Sequence, residues 1–398
     1  MKINNSLYIL SIISDTVNGN DTMHQRRVAV IACNIAEKMG FDKRVVEMVF
    51  QAALIHDIGL LDETAKIETF RQIIDDNFKQ LTNHALKSAK IARFFNLHPD
   101  ISSAIELHHT KAEINPSILG SIIFLADNIE VSYRSLSNHF AFNELYDFVA
   151  QKSEFFDKNA LESFRSLSKC ESFWYSIDDK NLDKSLLKIL NIFEDKDADV
   201  RLEKAISYFL AYLSDSVTIF NGGYSLLMKN ISLALAYKLK ADTNLVISAS
   251  LISHIGNIFV PKEIFDKFNE FDDIDYNIVK SHPYYTKFLC ERLGFDKNIV
   301  DCAALHHENL LKEGYPFKVN NFSKEAKILQ VSSVLAACLQ DRPYRVALSK
   351  DEINTVLNKM AKDGLLDSKV VKEALILDYD KIIKSKDEYY EAVRKILL

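Results

Sequence analysis

Along most of the chain apolar residues recur at i, i+3, i+4 and i+7, the spacing that lines one face of an α-helix. VAVIACNIAEKMGFD (from Val28), NHALKSAKIARFFNL (from Asn83) and SIIFLADNIE (from Ser121) each follow it. The N-terminal run LYILSII reads as a core helix. Phe142–Phe164 and NLDKSLLKILNIF (from Asn181) predict further helix.

The same order then returns half a chain later. SDTV at Ser14–Val17 recurs as SDSV at Ser214–Val217, and LYILSII as YFLAYLS. The Val28 helix recurs from Met228, LIHDIGL (Leu54–Leu60) as LISHIGN (Leu251–Asn257), and the Asn83 helix from Ser281. IELHH (Ile105–His109) recurs as CAALHH (Cys302–His307), and SIIFLADNIE as AKILQVSSVL from Ala326. A repeat of this length is a duplicated domain. It predicts two all-α bundles, residues 1–198 and 199–398, with the charged stretch Glu194–Lys204 as a solvated connector.

Composition supports helices over sheet. Of 398 residues only 10 are Gly and 6 are Pro, far below average usage of about 7% and about 5%, so few tight turns can form. A 48% hydrophobic content supplies a sizeable core. The net charge of −6 argues against a bulk nucleic-acid binder. No apolar run approaches the ~18 residues of a membrane span. The five cysteines are scattered and form no CxxC pair, as expected of free thiols in a reducing, cytoplasmic setting.

The first half carries His24, His56-Asp57, His84, His108-His109 and Asp127. Any one of these histidines alone reads as a core or capping residue. Together they supply imidazole and carboxylate without thiolate, a donor set that suits Fe, Mn, Zn or Ni rather than Mg or Ca. The order H…HD…H…HH…D, read in MHQRRVAV, LIHDIGL, NHALKSA, LHH and IIFLADNIE, resembles the HD-domain metal-dependent phosphohydrolases, and among them the HD-GYP branch. The resemblance covers nearly all of both halves. It implies an all-α fold and two divalent metal ions, most often iron or manganese. It further implies hydrolysis of a nucleotide second messenger, a cyclic dinucleotide such as cyclic di-GMP or cyclic GMP-AMP. By position it assigns His24, His56, Asp57, His84, His108, His109 and Asp127 as metal ligands, with Asp57 bridging the ions. Such a two-metal site activates a water and polarises the phosphoryl oxygen.

The first half also departs from that pattern. Leu60 stands where the family has Lys after HDIG, and Asn20 where it has Glu before the first His. The GYP loop is replaced by the shorter TKAEINPSILGS, and RPYR is reduced to SYRSL. Arg134 remains as a candidate phosphate contact. Arg27 is near the site by motif position, with a structural ion pair as its competing role. The region after His109 also resembles HD enzymes that split diadenosine tetraphosphate, which keeps a second substrate open.

The second half has the complementary pattern. It carries HHENLLKEGYP (His306–Pro316) and DRPYR (Asp341–Arg345), but Tyr224 replaces the first His, Ser253-His254 replaces HD and Ser333 replaces the last Asp. Loss of both carboxylates removes the charge that balances two dications. Residual histidines packed in a structural half are the expected outcome, with one ion on His254, His282, His306 and His307 as the alternative. Tyr315, Arg342 and Arg345 are candidates to stack a base or bind a phosphate. The sequence reading is therefore an enzyme with a regulatory or structural second half, possible as a homodimer. The competing reading is a non-catalytic protein that senses a nucleotide or redox state.

Overall fold

The structure is a computed structural model that describes residues 1–17, 23–61, 82–135, 142–217, 222–267, 269, 271–341 and 345–397. Asn20 and Arg342 lie outside the described residues. Among those described, all regular structure is helical apart from isolated bridge positions, such as the antiparallel pair Lys2 and Asp197. No helix among them is long and apolar enough to cross a membrane. The chain forms two compact units, Lys2–Asp199 and Val200–Lys395.

The first unit comprises α1 (Ile3–Val17), α2 (His24–Lys38), α3 (Lys43–Leu54), α4 (Thr82–Phe94), α5 (Pro99–Glu106) and α6 (Ile118–Ser135). It continues through α7 (Phe142–Ala150), α8 (Lys158–Ser168), α9 (Glu171–Ile177) and α10 (Asp179–Ile192). α2 is its central helix: Val28, Val30, Ile31 and Ile35 are buried, and the helix packs on α3 and α6. Burial of each such side chain contributes about 1.5–3 kcal/mol. Gly40, at φ +84°, takes the left-handed conformation that ends α2. Asp42 then caps α3 by accepting from the Val45 amide at 3.0 Å. On α3, Val46, Val49, Phe50 and Ala53 form the buried stripe that the i, i+3, i+4, i+7 pattern requires.

The stretch expected to be a solvated connector is in part structural. Asp195 accepts the amides of Asn4 and Asn5 at 2.8 and 3.1 Å, and Lys196 carbonyl accepts from Ile3. These contacts satisfy open donors at the start of α1. Beyond them, Val200 already begins the next helix.

The second unit comprises α11 (Val200–Asp215), α12 (Tyr224–Leu239), α13 (Thr243–Ile252), α14 (Lys262–Phe265), α15 (Asp273–Val279) and α16 (His282–Leu293). α17 (Lys297–Ala304), α18 (Lys324–Cys338), α19 (Lys350–Lys362), α20 (Ser368–Ala374) and α21 (Tyr379–Leu397) complete it. α12 is again central, packed on α13 and α18.

The recurring glycine of LIHDIGL and LISHIGN has a steric cause. A Cβ on Gly59 would lie 2.7 Å from the His84 carbonyl oxygen and 2.8 Å from the Ser88 nitrogen. A Cβ on Gly256 would collide with the carbonyl of His282. Each glycine lets the turn after one helix press against the first turn of the next histidine-bearing helix. The contact is sealed by a hydrogen bond from Gly59 N to Ser88 Oγ (2.9 Å) and from Gly256 N to Thr286 Oγ1 (3.1 Å).

Candidate metal centre

His24 opens α2, His56 and Asp57 form the turn after α3, and His84 lies in the first turn of α4. His108 and His109 form the turn after α5, and Asp127 lies within α6. The fold brings them together around Asp57. Its Oδ1 lies 3.3 Å from His84 Nε2 and 3.7 Å from His108 Nε2. Its Oδ2 lies 3.5 Å from His24 Nε2 and 3.6 Å from His56 Nε2. Asp127 Oδ1 lies 3.4 Å from His24 Nε2. The donor atoms fall into two groups, Asp57–His84–His108–His109 and His24–His56–Asp57, within each of which they lie no more than 4.8 Å apart. Asp57 belongs to both.

The donor set fits divalent cations. His56 Nδ1 donates to the Ala53 carbonyl at 2.8 Å, and His108 Nδ1 to the Ile105 carbonyl at 2.6 Å. Each bond fixes the tautomer that leaves an Nε2 lone pair directed into the site. Those two Nε2 atoms and Asp57 Oδ1 are buried without a hydrogen-bond partner. One such orphan costs about 1–3 kcal/mol; three converging on one point is what a cation-binding cradle shows. His84 Nε2 and His109 Nε2 also approach within 2.9 Å.

Burial opposes the charge on Asp57, but the His56 and His84 imidazoles and the bond to His24 outweigh it and hold the carboxyl well below its usual range. Burial likewise opposes protonation of His24. The charge of Glu130, with hydrogen bonds to Asp57 and Glu130, reverses this and raises its pKa well above 6.5. Burial lowers the pKa of His84, His108 and His109, that of His109 to about 3. Burial raises Asp127 despite the nearby imidazoles.

The second unit gathers His254, His282, His306 and His307, their donor atoms again within 4.8 Å of one another. Burial brings His282 down to about 4 and His306 to about 3. Tyr224 Oη donates to the Ser333 carbonyl at 3.0 Å, joining two residues that replace ligands of the first unit. Tyr315 stacks on His307, centroids 4.7 Å apart. Its loop is held by Glu308, whose carboxylate accepts the amides of Phe317, Lys318 and Val319 at 2.6, 3.0 and 3.3 Å. Beside it opens a pocket of about 620 Å³ lined by Tyr276, Lys280, Tyr284, Tyr315 and Lys318.

A family model described as HD domain matches residues 22–132, and a second one, also described as HD domain, matches residues 212–370. The chain belongs to the HD-domain proteins. Its two HD domains stand in tandem. It is similar to 3'3'-cGAMP-specific phosphodiesterase 1 of Vibrio cholerae, 21% identical over 98% of this chain and 93% of that protein. It is also similar to the cyclic di-GMP phosphodiesterase PdeB of Borreliella burgdorferi, 27% identical over 31% of this chain and 33% of that protein. The crystal structure of a cyclic GMP-AMP specific phosphodiesterase of V. cholerae (V-cGAP3) shares the fold, with TM-score 0.65 and 16% identity over 96% of this chain and 99% of that one.

Two arginines of this tandem HD protein are placed otherwise than as phosphate contacts. Arg27 is 3% exposed; it donates to Glu130 at 2.6 Å, to Asp179 and to the Ile177 carbonyl at 3.0 Å, so it is a structural ion pair. Arg345 donates to the carbonyls of Ala337 (2.6 Å), Val346 (3.0 Å) and Gln340 (3.4 Å). It caps the C-terminal end of α18, where a cation is favoured. Arg134 keeps 37% side-chain exposure while its Nε bonds Glu130 at 2.7 Å.

Glu130 is the residue that sequence reasoning missed. It is fully buried and accepts from His24 Nδ1 at 2.6 Å, as well as from Arg27 and Arg134. Burial would raise its pKa, but the charges on His24, Arg134 and Arg27 prevail and lower it to about 2. It lies one helical turn after Asp127, the i+3 spacing that puts both carboxylates on one face. That spacing was the available signal.

Proposed function

We propose that residues 1–198 form the catalytic half of the chain and open a phosphodiester bond of a cyclic dinucleotide, with residues 199–398 regulating it. The chain is a metal-dependent phosphohydrolase. The observation that carries this reading is the double membership of Asp57, one oxygen turned to each donor group. His24, His56, Asp57 and Asp127 would hold one ion, and Asp57, His84, His108 and His109 the other, iron or manganese being the expected metals. When bound, the ions supply a water activated at neutral pH and polarisation of the phosphoryl oxygen.

The chain's own residues set the rest. Glu130 fixes the His24 ring so that Nε2, not Nδ1, faces the site. The peptide carbonyls of Ala53 and Ile105 do the same for His56 and His108. Arg134, steadied by Glu130 yet open to solvent, offers its free guanidinium edge to a phosphate. Leu60 adds no charge next to HDIG, and Arg134 is our candidate for that contact. The resemblance of the full chain to a cGAMP-specific phosphodiesterase supports the substrate class. In the second half, the Tyr-lined pocket with Lys280 and Lys318 suits a base and a phosphate, which supports a regulatory nucleotide there.

The test is a panel of 3'3'-cGAMP, cyclic di-GMP and diadenosine tetraphosphate, run without air with Fe(II) or Mn(II). The expected product is a linear dinucleotide from a cyclic one, absent with Asp57→Asn. Metal retention with no turnover across the panel would instead support the sensing role. Turnover confined to diadenosine tetraphosphate would move the substrate to the other HD class.

A further inference from the structure

In the second unit the repeat preserves one donor group and dismantles the other. His282, His306 and His307 occupy the places of His84, His108 and His109, and His254 occupies the place of Asp57. The group Asp57–His84–His108–His109 thus has a full counterpart, His254–His282–His306–His307. The group His24–His56–Asp57 has none, because Tyr224, Ser253 and Ser333 stand where its ligands and Asp127 would be. Tyr224 Oη donates to the Ser333 carbonyl at 3.0 Å, and Ser253 Oγ lies 3.0 Å from the Ser250 carbonyl. None of the three supplies an imidazole or a carboxylate to a metal ion.

The surviving group is organised as ligands are. His282 Nδ1 donates to the Val279 carbonyl at 2.8 Å, and His306 Nδ1 to the Ala303 carbonyl at 2.6 Å. His254 Nδ1 lies 3.0 Å from Ser253 Oγ, which also reaches the Ser250 carbonyl at 3.0 Å. His282 and His306 therefore spend their protons away from the cluster and turn an Nε2 lone pair toward it. His282 Nε2 and His306 Nε2 face each other at 3.2 Å with no proton left to share. Two lone pairs at that distance repel unless a cation lies between them. Around a tetrahedral ion with metal–nitrogen bonds of about 2.0–2.1 Å, neighbouring nitrogens stand roughly 3.3 Å apart.

We propose that the second unit binds one transition-metal ion through His254, His282, His306 and His307. The site is mononuclear and all-imidazole, in a domain whose two-ion chemistry is lost. Neutral nitrogen donors with no carboxylate select borderline ions such as Zn(II), Co(II), Ni(II) or Cu(II) and disfavour Mg(II), Ca(II) and Mn(II). The first unit, with carboxylates in its donor set, suits harder ions, so the two units take different metals. With Tyr315 stacked on His307, the ion would also brace the loop that walls the pocket.

The experiment uses the full chain carrying Asp57→Asn, His56→Ala and His84→Gln, which removes the ligand common to both first-unit groups and one more from each, and titrates it with Co(II) alone. One equivalent with the strong visible absorption of four-coordinate cobalt is expected, lost when His282→Gln or His307→Gln is added to a chain that keeps its helical circular dichroism. X-ray absorption on the parent, which needs no ligand variant to fold, should show a nitrogen shell with imidazole scattering. Absence of binding, a weak six-coordinate spectrum, an oxygen-dominated shell, or a band unchanged in a folded histidine variant would each overturn the proposal. None of these readouts depends on whether the first unit hydrolyses a nucleotide, so the two readings fail separately.

Discussion

His24 Nδ1 lies 2.6 Å from Oε2 of Glu130, and the other oxygen of that carboxylate receives Arg27 and Arg134. A single buried carboxylate therefore aims a metal-facing imidazole and anchors the partly exposed Arg134. Glu130→Gln keeps the shape but removes the charge that orients His24. Outer partners of this kind are worth about 10–100-fold in metal affinity or activity. A loss of that size is expected in both metal titration and turnover, with circular dichroism unchanged. Unaltered affinity would reduce Glu130 to an arginine partner.

Asp57 makes a sharper demand. If it serves both donor groups, Asp57→Asn weakens both ions at once, whereas His109→Ala reaches only the group with His84 and His108. Loss of several kcal/mol of charge stabilisation, about a thousandfold or more in rate, is expected for Asp57→Asn. Metal analysis should show both first-unit ions depleted in Asp57→Asn and one depleted in His109→Ala. Equal depletion in the two variants would contradict a shared carboxylate.

The two glycines test the packing that underlies the site. A methyl group at Gly59 must displace the His84 carbonyl and the Ser88 amide. Such overpacking costs about 1–3 kcal/mol, and here it also separates His56 and Asp57 from His84. Gly59→Ala should lower both thermal stability and first-unit metal content. Gly256→Ala should lower stability while leaving first-unit metal content unchanged. Denaturation curves with metal analysis on the same samples separate the two effects.

Much of this was legible because the duplication writes each critical turn twice. LIHDIGL and LISHIGN share the residues that end a helix and clear the next backbone, so their differences at His56-Asp57 and Ser253-His254 mark where chemistry changed. RPYR shows only that Arg345 supplies a cation; that three backbone carbonyls accept from it is visible only in the fold. Asp195 looked like part of a solvated charge run, yet it caps a helix that begins at Ile3, far away in sequence. Glu130 was hidden for a related reason: a carboxylate on an apolar helix reveals its role only when the His24 side chain arrives from another helix. Local pattern fixes elements and turns, whereas long-range pairing decides which charges are spent on structure.

The repeated SDTV and SDSV segments give a last prediction, in the second unit. Asp15 meets the Arg26 guanidinium at 3.2 Å. Its counterpart Asp215 instead accepts from Ser225 N (3.1 and 3.0 Å) and Ser225 Oγ (2.7 Å). Burial then pushes the Asp215 pKa up to about 8, only partly offset by those bonds. The folded chain therefore holds a proton that the unfolded chain, at about 3.8, has released. By linkage this group's contribution is fully present below about pH 4 and is lost as pH rises toward about 8, where the loss levels off. Asp215→Asn keeps an acceptor for Ser225 and removes the titration. It should match the parent near pH 4 and unfold at a higher temperature near pH 8, the gap widening steadily between. A parallel pair of melting curves against pH would place Asp215 among the ionised residues instead.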